Sequence, residues 1–447
     1  MHANGDALKL APGSRVAVIG GGPAGSFFSY FLLDMARTMG LELQVDIYEP
    51  RDFRTQGPGG CNMCGGIVSE SLVQNLATEG IQLSDTVQRS IDSYFLHMDV
   101  GNVRIRTPQS EHRIASVHRG GGPRGGLRIE GGGLDGYLLD LAVKKGARHI
   151  RERVDSFSWD EERRPRIKPQ TGNEQTYDVA CVAAGVNSSV LKLFEAAGIP
   201  YKAPPATKTY ICEFCFGREM ITRELGTSMH VFLLNIPRLE FAALVPKGDY
   251  VTLCLLGKDI DKDLVREFLQ TRAVKECLPA NWQPPPDFCH CSPKISVGSA
   301  FREFGDRIVF VGDCGTTRLY KDGIGAAYRT AKAAARTCVF HGIAARDFRR
   351  HYDPVCRKIE RDNLLGKLVF AVTRQIQSRT YARRALWRMV AHEQLDGKSQ
   401  RMSQVLWDTF TGSAPYKAVL LRTLHPSFLA KLSWNLYESL RHGEATR

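Results

Sequence analysis

A chain of 447 residues exceeds what one hydrophobic core organises, so two or three lobes are expected, and its 43% hydrophobic and 24% charged residues exclude a disordered polymer. The formal net charge of +13 belongs to the tail: residues 327–447 carry 22 Lys plus Arg against 9 Asp plus Glu, a difference of 13 that is the entire excess. The first three quarters are balanced, and the basic last quarter forms a surface that seeks phosphate, on nucleic acid or on anionic lipid headgroups.

The N-terminus, "MHANGDALKLAPGSR", has no apolar core resembling a signal peptide, and the twelve cysteines are expected to be mostly reduced and cytoplasmic. The longest run without Asp, Glu, Lys or Arg is Val16 to Leu33, 18 residues, which on length alone is a candidate membrane span. Gly20-Gly21-Gly22-Pro23 breaks it into strand, tight turn and helix, so no span is expected. The strand is Arg15 to Ile19, followed by G-x-G-x-x-G at Gly20, Gly22 and Gly25, with Pro23 and Ala24 inside the motif. A helix with apolar Phe27, Phe28, Phe31, Leu32 and Met35 follows and stops at Gly40. The glycines allow a tight turn, close approach of backbone to a pyrophosphate, and close helix packing; the helix N-terminus then faces the phosphates. A second strand, Gln44 to Tyr48, ends at Glu49, placed where an acceptor for ribose hydroxyls is expected.

"GGCNMCGGIVSESL", residues 59–72, sets Cys61 and Cys64 three apart among four glycines that include Gly65 and Gly66. Metal ligands, a redox disulfide and reactive thiols beside a cofactor are the readings open at this point. The loop "RGGGPRGG" presents glycine N–H groups between Arg119, Arg124 and Arg128 and suits phosphate as well as a surface loop. "YDVACVAAGVNSSVLKLF" is a buried strand ending in Gly185. Residues 207–257 read as β-rich, with alternation in "KTYICEFCFG" and "MHVFLLNIPRLEFAALV". The same alternation points Cys212 and Cys215 to opposite faces, which argues against joint metal ligation, and Cys289 and Cys291 around His290 read as core thiols. No metal site is expected. A proline-rich connector, Pro279 to Pro293, leads to "DRIVFVGDCGTTRLYKDGIGAAYRTAKAAA", a last strand ending in Gly312-Asp313, then Gly323, Gly325 and Ala326 opening an alanine-rich helix.

From Pro354 the pattern is helical and basic, with apolar Leu364, Leu365, Leu368, Val369, Val372 and Ile376 between arginines, and with Trp434 and Tyr437 later. Such helices fit a lobe packed on the enzyme and also a membrane interface, where cations meet headgroups. Nucleic acid is not expected as a partner, because no recognition motif accompanies the charge.

The three glycine-bearing strands, taken together, resemble the large FAD-dependent oxidoreductases built on the hydroxybenzoate-hydroxylase plan. That resemblance implies FAD as cofactor, Asp313 on the ribityl chain, and Gly323, Gly325 and Ala326 near the isoalloxazine. It also implies Val154 against adenine and matches Asp135 to the family's aspartate; the family's arginine position is Gly131 here, so Arg128, with Arg119 and Arg124, is the expected replacement. "CGGIVSESL" from Cys64 and "FAALVPKGDYVTLCLLG" resemble the geranylgeranyl reductase family, with Ala243 where a tryptophan is usual and Tyr320 where a proline is usual. This second resemblance implies reduction of carbon–carbon double bonds in an isoprenoid or lipid-like substrate. Reduction of an alkene needs a hydride from flavin on one carbon and a proton on the other, and a thiol can give that proton, so Cys64 is the catalytic candidate with Cys61 as its neighbour. Flavin thiol/disulfide exchange through Cys61 and Cys64 and flavin-dependent monooxygenation are the rival activities.

The implied fold class is α/β. A Rossmann-like FAD-binding domain spans 1–58, 116–200 and 294–345, and an inserted antiparallel β-sheet substrate or cap domain spans 59–115 and 201–293. A basic helical C-terminal lobe spans 346–447. The expected partners are a hydrophobic small molecule, an electron donor such as NAD(P)H or ferredoxin, and the inner membrane face as a peripheral contact from the cytoplasm.

Overall fold

The structure, a computed structural model, describes residues 8–61, 64–284, 289–396 and 400–441. Part of the expected 279–293 connector lies outside the described residues.

Alternation of small and β-branched residues in "RVAVI" and "QVDIY" makes two strands buried on both faces, the pattern of a parallel sheet covered by helices. Six strands form that sheet in the order Phe304–Gly305, Ile308–Phe310, Val179–Val182, Arg15–Ile19, Gln44–Tyr48, Arg148–Ile150. All neighbours are parallel except the short hairpin at the first edge. Helix α1 (Pro23–Thr38) crosses from the first strand, and α2 (Gly323–Phe340) lies along it. Phe27, Phe28 and Phe31 of α1 pack with Ala327, Ala331, Ala334 and Ala335 of α2, so the small side chains of one helix admit the rings of the other.

The second large sheet has eight strands, and its ladder runs His290–Cys291, Ala206–Cys215, Tyr250–Gly257, Leu239–Lys247, Ser228–Phe232, Ser93–Met98, Gly101–Arg106. Strand Lys294–Ser296 pairs with Ala206–Cys215 beside it. It is antiparallel except where Ser228–Phe232 runs parallel to Ser93–Met98. One face packs under the helices Arg218–Glu224 and Lys262–Gln270 through Phe232, Leu253, Ile221, Leu264 and Phe268.

The other face is divided. Its far half, with Tyr94, Leu96, Val103 and Val231, is covered by α4 (Thr380–Asp396) and α5 (Arg401–Thr411) through Leu386, Met389, Leu406, Trp407 and Phe410. Its near half, from Ala243 across Cys254 and Ile211 to Cys291, is left for the cavity described below. Helix α3 (Asp353–Gln377) precedes α4, and α6 (Tyr416–Thr423) and α7 (Pro426–Arg441) follow α5. The helices α4 and α5 therefore share an apolar core with the sheet, and Phe370 of α3 and Tyr416 of α6 pack with Leu319 in a smaller one beside it.

Two devices fix this packing. Arg383, 2% exposed, makes a fork of two 2.6 Å hydrogen bonds to Asp99 and so ties α4 to the hairpin below it. Glu393 accepts from the Met402 and Ser403 N–H groups at 3.0 and 2.8 Å, capping α5 from the preceding helix.

Candidate functional site

The first glycine turn shows why each glycine is needed. Gly20 sits at φ +108°, and a Cβ on it would lie 2.5 Å from the Ala183 carbonyl oxygen. A Cβ on Gly25 would lie 1.9 Å from the Gly20 oxygen, so α1 can start against its own strand only with glycine there. Gly22, by contrast, faces open space, the approach a phosphate requires. Helix α1 carries Pro23 in its first turn, followed by Ala24, and has no side-chain cap, so its N-terminal dipole is left to a ligand. The Glu49 carboxylate accepts from the Gly21 N–H at 2.9 Å and the Arg51 N–H at 3.0 Å, stiffening the turn from the end of the second strand.

The strand Ile308–Phe310 delivers Gly312-Asp313 to the same place: Gly312 has φ +68°, and a Cβ on it would meet the Ala24 Cβ at 2.7 Å. Burial pushes the Asp313 carboxyl above its usual range, while the Thr317 hydroxyl and Arg119 favour its charge. A Cβ on Gly323 would stand 3.9 Å from an Asp313 oxygen and 3.8 Å from Thr317, with no closer neighbour. Gly325 belongs to the first turn of α2, where a Cβ would overlap Asp322, and Ala326 is fully buried behind it. Gly185 (φ +68°) opens at the end of its strand with no atom within 4 Å of its Cβ direction. Val154 is buried beside Ile19 and Tyr48.

Arg128 is exposed on its loop. The arginine that reaches inward is Arg119, whose guanidinium makes parallel 2.8 and 2.9 Å bonds to the buried Asp135 and lies within electrostatic reach of Asp313. The strand–glycine–helix pieces thus converge on one groove edge, and a group with two phosphates and a polyhydroxyl chain fits what they offer.

Next to this groove is a narrow cavity, too tight to admit a water molecule, lined by Cys61, Cys64, His118, Arg119, Glu213 and Lys247. The Lys247 ammonium, buried, donates to the Cys64 carbonyl at 2.6 Å and to Glu213 at 3.2 Å. The same Glu213 oxygen accepts from Thr252 at 2.9 Å and lies 3.5 Å from His118 Nδ1. Burial works against the charge on Glu213, but Lys247, His118 and Thr252 outweigh it and hold its carboxyl down to about 2.

The second glycine of C-G-G now has a physical reason. Gly66 is at φ +65°, and a Cβ there would strike the Val117 oxygen at 2.1 Å and the Lys247 ammonium at 2.8 Å. Its N–H donates to Cys64 Sγ at 3.4 Å, and on Gly65 a Cβ would touch Cys254 Sγ at 3.8 Å.

All twelve cysteines are free thiols. Cys61, Cys64, Cys254, Cys289 and Cys291 lie within electrostatic reach of one another. Burial raises Cys61 and Cys291 to about 12 and Cys254 to about 11, with neighbouring acidic groups adding to the effect. These three therefore stay protonated at neutral pH. Lys321, on the loop before Gly323, holds its ammonium 3.4 Å from the centre of the Phe241 ring, and burial pulls it down to about 8 against the influence of Cys254.

That loop is anchored by the C-terminal helices. Asn363 of α3 accepts from the Leu319 N–H and donates to the Thr317 carbonyl, both at 2.8 Å. Arg318 donates to the Gly412 and Ala414 carbonyls and lies 4.7 Å over the Tyr416 ring.

Glu213, Lys247, His118 and Lys321 were not among the residues expected from sequence. A signal for two of them exists: Glu213 and Lys247 are charges at inward positions of predominantly apolar, alternating strands, a pattern that calls for a partner of opposite sign. Cys212 is buried and Cys215 exposed, on opposite faces of their strand as the alternation requires.

No family model matches the chain, and neither does any curated protein. Solved structures do match. A flavoprotein/dehydrogenase from Cytophaga hutchinsonii superposes with a TM-score of 0.61 at 13% identity over 96% of this chain and 100% of that one. The flavin-dependent brominase Bmp2 gives 0.58 at 14% identity over 92% and 97%. The peptidyl tryptophan dihydroxylase QhpG gives 0.56 at 16% identity over 81% and 75%. At these identities the likeness concerns architecture: the chain has the fold of the FAD-dependent flavoproteins.

Proposed function

We propose that this protein is an FAD-dependent oxidoreductase that reduces a carbon–carbon double bond of an isoprenoid or other lipid-like substrate. The fit of the cofactor rests on the glycine turn with open space at Gly22, the uncapped start of α1, and Asp313 facing Gly323. Gly20, Gly22 and Gly25 with the α1 N-terminus would hold the pyrophosphate, Arg119 would add positive charge, and Asp313 would take the polyhydroxyl chain. Bound and reduced FAD supplies a hydride to one alkene carbon.

The observation that carries the reading is a fixed thiol, Cys64, and a proton source of suitable strength, Lys321, both within electrostatic reach of Cys254. Cys64 is held through its carbonyl by Lys247 and through its sulfur by the Gly66 N–H. Lys321, near 8, keeps a proton at neutral pH yet yields it readily, whereas Cys61, near 12, gives up its proton far less readily. Lys321 and Cys64 therefore orient the substrate and protonate the second carbon. The electron donor, NAD(P)H, ferredoxin or similar, acts before this step.

Two other readings have support. The gathering of Cys61, Cys64, Cys254, Cys289 and Cys291 favours thiol/disulfide exchange, and architecture shared with a dihydroxylase favours monooxygenation. One experiment separates the three. The flavin of the purified protein is reduced by dithionite, freed of excess reductant without oxygen, and mixed with a geranylgeranyl lipid in detergent. Return of the yellow absorbance without oxygen, with a product two mass units heavier, supports the proposal. Return only on admitting oxygen, with an oxygenated lipid, points to monooxygenation. Two more titratable thiols as the flavin reoxidises without oxygen or lipid, its two electrons having reduced a protein disulfide, point to a dithiol.

Contact with a membrane surface completes the proposal. Leu364, Leu368 and Val372 form an exposed stripe on α3, and Trp434, Tyr437 and Leu440 are exposed on α7, among the arginines and lysines of the tail. No helix among the described residues is long and apolar enough to cross a membrane.

A further inference from the structure

His97, His230 and Cys277 converge on the face of the eight-stranded sheet that is turned away from the thiol cavity. His97 and His230 come from the neighbouring parallel strands Ser93–Met98 and Ser228–Phe232, and Cys277 from the segment just after the helix Arg272–Lys275. All three are 5% exposed. His97 Nε2 and His230 Nδ1 are 2.9 Å apart, and Cys277 Sγ lies 3.3 Å from His230 Nδ1 and 3.6 Å from His97 Nε2. We propose that these three residues bind a zinc ion that clips the sheet to the helices Lys262–Gln270 and Arg272–Lys275.

Three arguments support the site. The first is geometric. With Zn–N near 2.0–2.1 Å and Zn–S near 2.3 Å, the edges of a ligand tetrahedron are about 3.3 Å for N···N and about 3.6 Å for N···S. The Cys277–His97 separation matches its edge, and the Cys277–His230 and N···N separations are each short by a few tenths of an ångström.

The second is polar accounting. The alternative is a simple hydrogen bond between two neutral imidazoles. One ring then leaves a bare outer nitrogen and the other an outer N–H, and both outer atoms, His97 Nδ1 and His230 Nε2, are buried without a hydrogen-bond partner. A cation between the inner atoms replaces that single bond by two ligand bonds. It also makes both outer atoms N–H donors toward the polar groups beside them, the Asn102 side chain and the Leu225 backbone.

The third is donor chemistry. Two imidazoles and one thiol in an apolar setting suit zinc and not the hard cations, which require oxygen ligands. Phe95 stacks on His230 at 5.2 Å and Phe232 on His97 at 4.7 Å, so the rings are held for ligation and shielded from water. Cys277 holds its proton, donating to the Ala273 carbonyl at 3.3 Å, until the metal displaces it; binding one Zn²⁺ releases one H⁺. Among the described residues no fourth protein ligand joins the group, which leaves one position for water.

The test uses the full chain with its flavin. It is incubated with Zn²⁺, gel-filtered, and analysed for metal, and the apo form is titrated with Co²⁺. The expected result is one zinc per chain and a near-ultraviolet thiolate-to-cobalt band. Both are lost in Cys277→Ser, whereas zinc content, band and flavin absorbance are unchanged in Cys215→Ser. Substoichiometric zinc in the wild type, or the same zinc and cobalt spectrum in Cys277→Ser, overturns the site. Should Cys277→Ser fail to fold, His97→Asn and His230→Asn are read in the same way. The wild type then still decides, since a cobalt spectrum without a thiolate band also overturns it.

Discussion

At the residue scale, the site depends on contacts with no slack. Gly25→Ala places a methyl where the Gly20 oxygen already stands, so a backbone shift is unavoidable. We expect a loss of stability on the order of 3 kcal/mol or more and an apoprotein that retains no flavin, read by thermal unfolding and by absorbance after desalting. Gly66→Ala strikes Val117 and Lys247 together.

The buried Glu213–Lys247 pair gives a charge prediction. Lys247→Met leaves Glu213 buried beside a histidine and a hydroxyl, and should cost about 3–5 kcal/mol in urea unfolding. The folded carboxyl at about 2 lies below its ordinary 4.5, so the stabilisation from Glu213 is complete above pH 4.5 and is lost as pH falls from there towards 2. In Lys247→Met that acid-side loss should shrink. Lys321, near 8, should impose a basic limb on turnover, with the rate falling above pH 8; Lys321→Met should lower turnover 10²-fold or more and flatten that limb. A basic limb unchanged in the variant would remove Lys321 from the proton-donor role.

At the scale of elements, the G-D segment and its flanks store a cost tied to pH. Glu303, next to the strand hairpin Phe304–Phe310, accepts a hydrogen bond from Thr316, and burial lifts its carboxyl to about 7. Between pH 4.5 and 7 the unfolded chain gives up a proton that the folded chain keeps, so folding weakens as pH rises through that window. Glu303→Gln should therefore stabilise the protein at pH 8 by an amount on the order of 2 kcal/mol and leave it nearly unchanged at pH 4.5, measured as the shift in urea midpoint at each pH.

The elements also show where sequence patterns stop being informative. Strand Arg15–Ile19, helix α1 and strand Gln44–Tyr48 follow from alternation, the glycine triplet and the 3.6-residue spacing of phenylalanines. The Gly66–Lys247 approach does not, because 181 residues separate the two and the contact depends on the positions of two strands.

At the scale of the molecule, the C-terminal helices are structural members of the site. They cover half of a sheet face with Trp407, Phe410 and Leu386, and they hold the loop before Gly323 through Asn363 and Arg318. A chain ending at residue 345 should expose that apolar face and aggregate, and it should retain no flavin. The outward side of the same helices carries the exposed Leu364–Leu368–Val372 stripe and Trp434 with Tyr437. On this basis the full protein should bind vesicles with anionic headgroups and release them as salt rises, whereas Leu368→Glu with Trp434→Glu should weaken binding tenfold or more without loss of flavin. Binding unaffected by both salt and these substitutions would discard the membrane proposal.

The sequence by itself determined the dinucleotide turn, the strand–helix alternation, the long β-rich insert and the basic helical end, because each is written in local spacing and in residues with narrow backbone preferences. Only the tertiary structure decided which arginine faces inward, Arg119 and not Arg128, and which charges meet beneath Cys64. The same holds for the convergence of His97, His230 and Cys277 from three distant segments. Such groupings are set by the register of paired strands and the order of strands in the sheet, where a shift of one residue would turn Glu213, Lys247 or His230 to the opposite face.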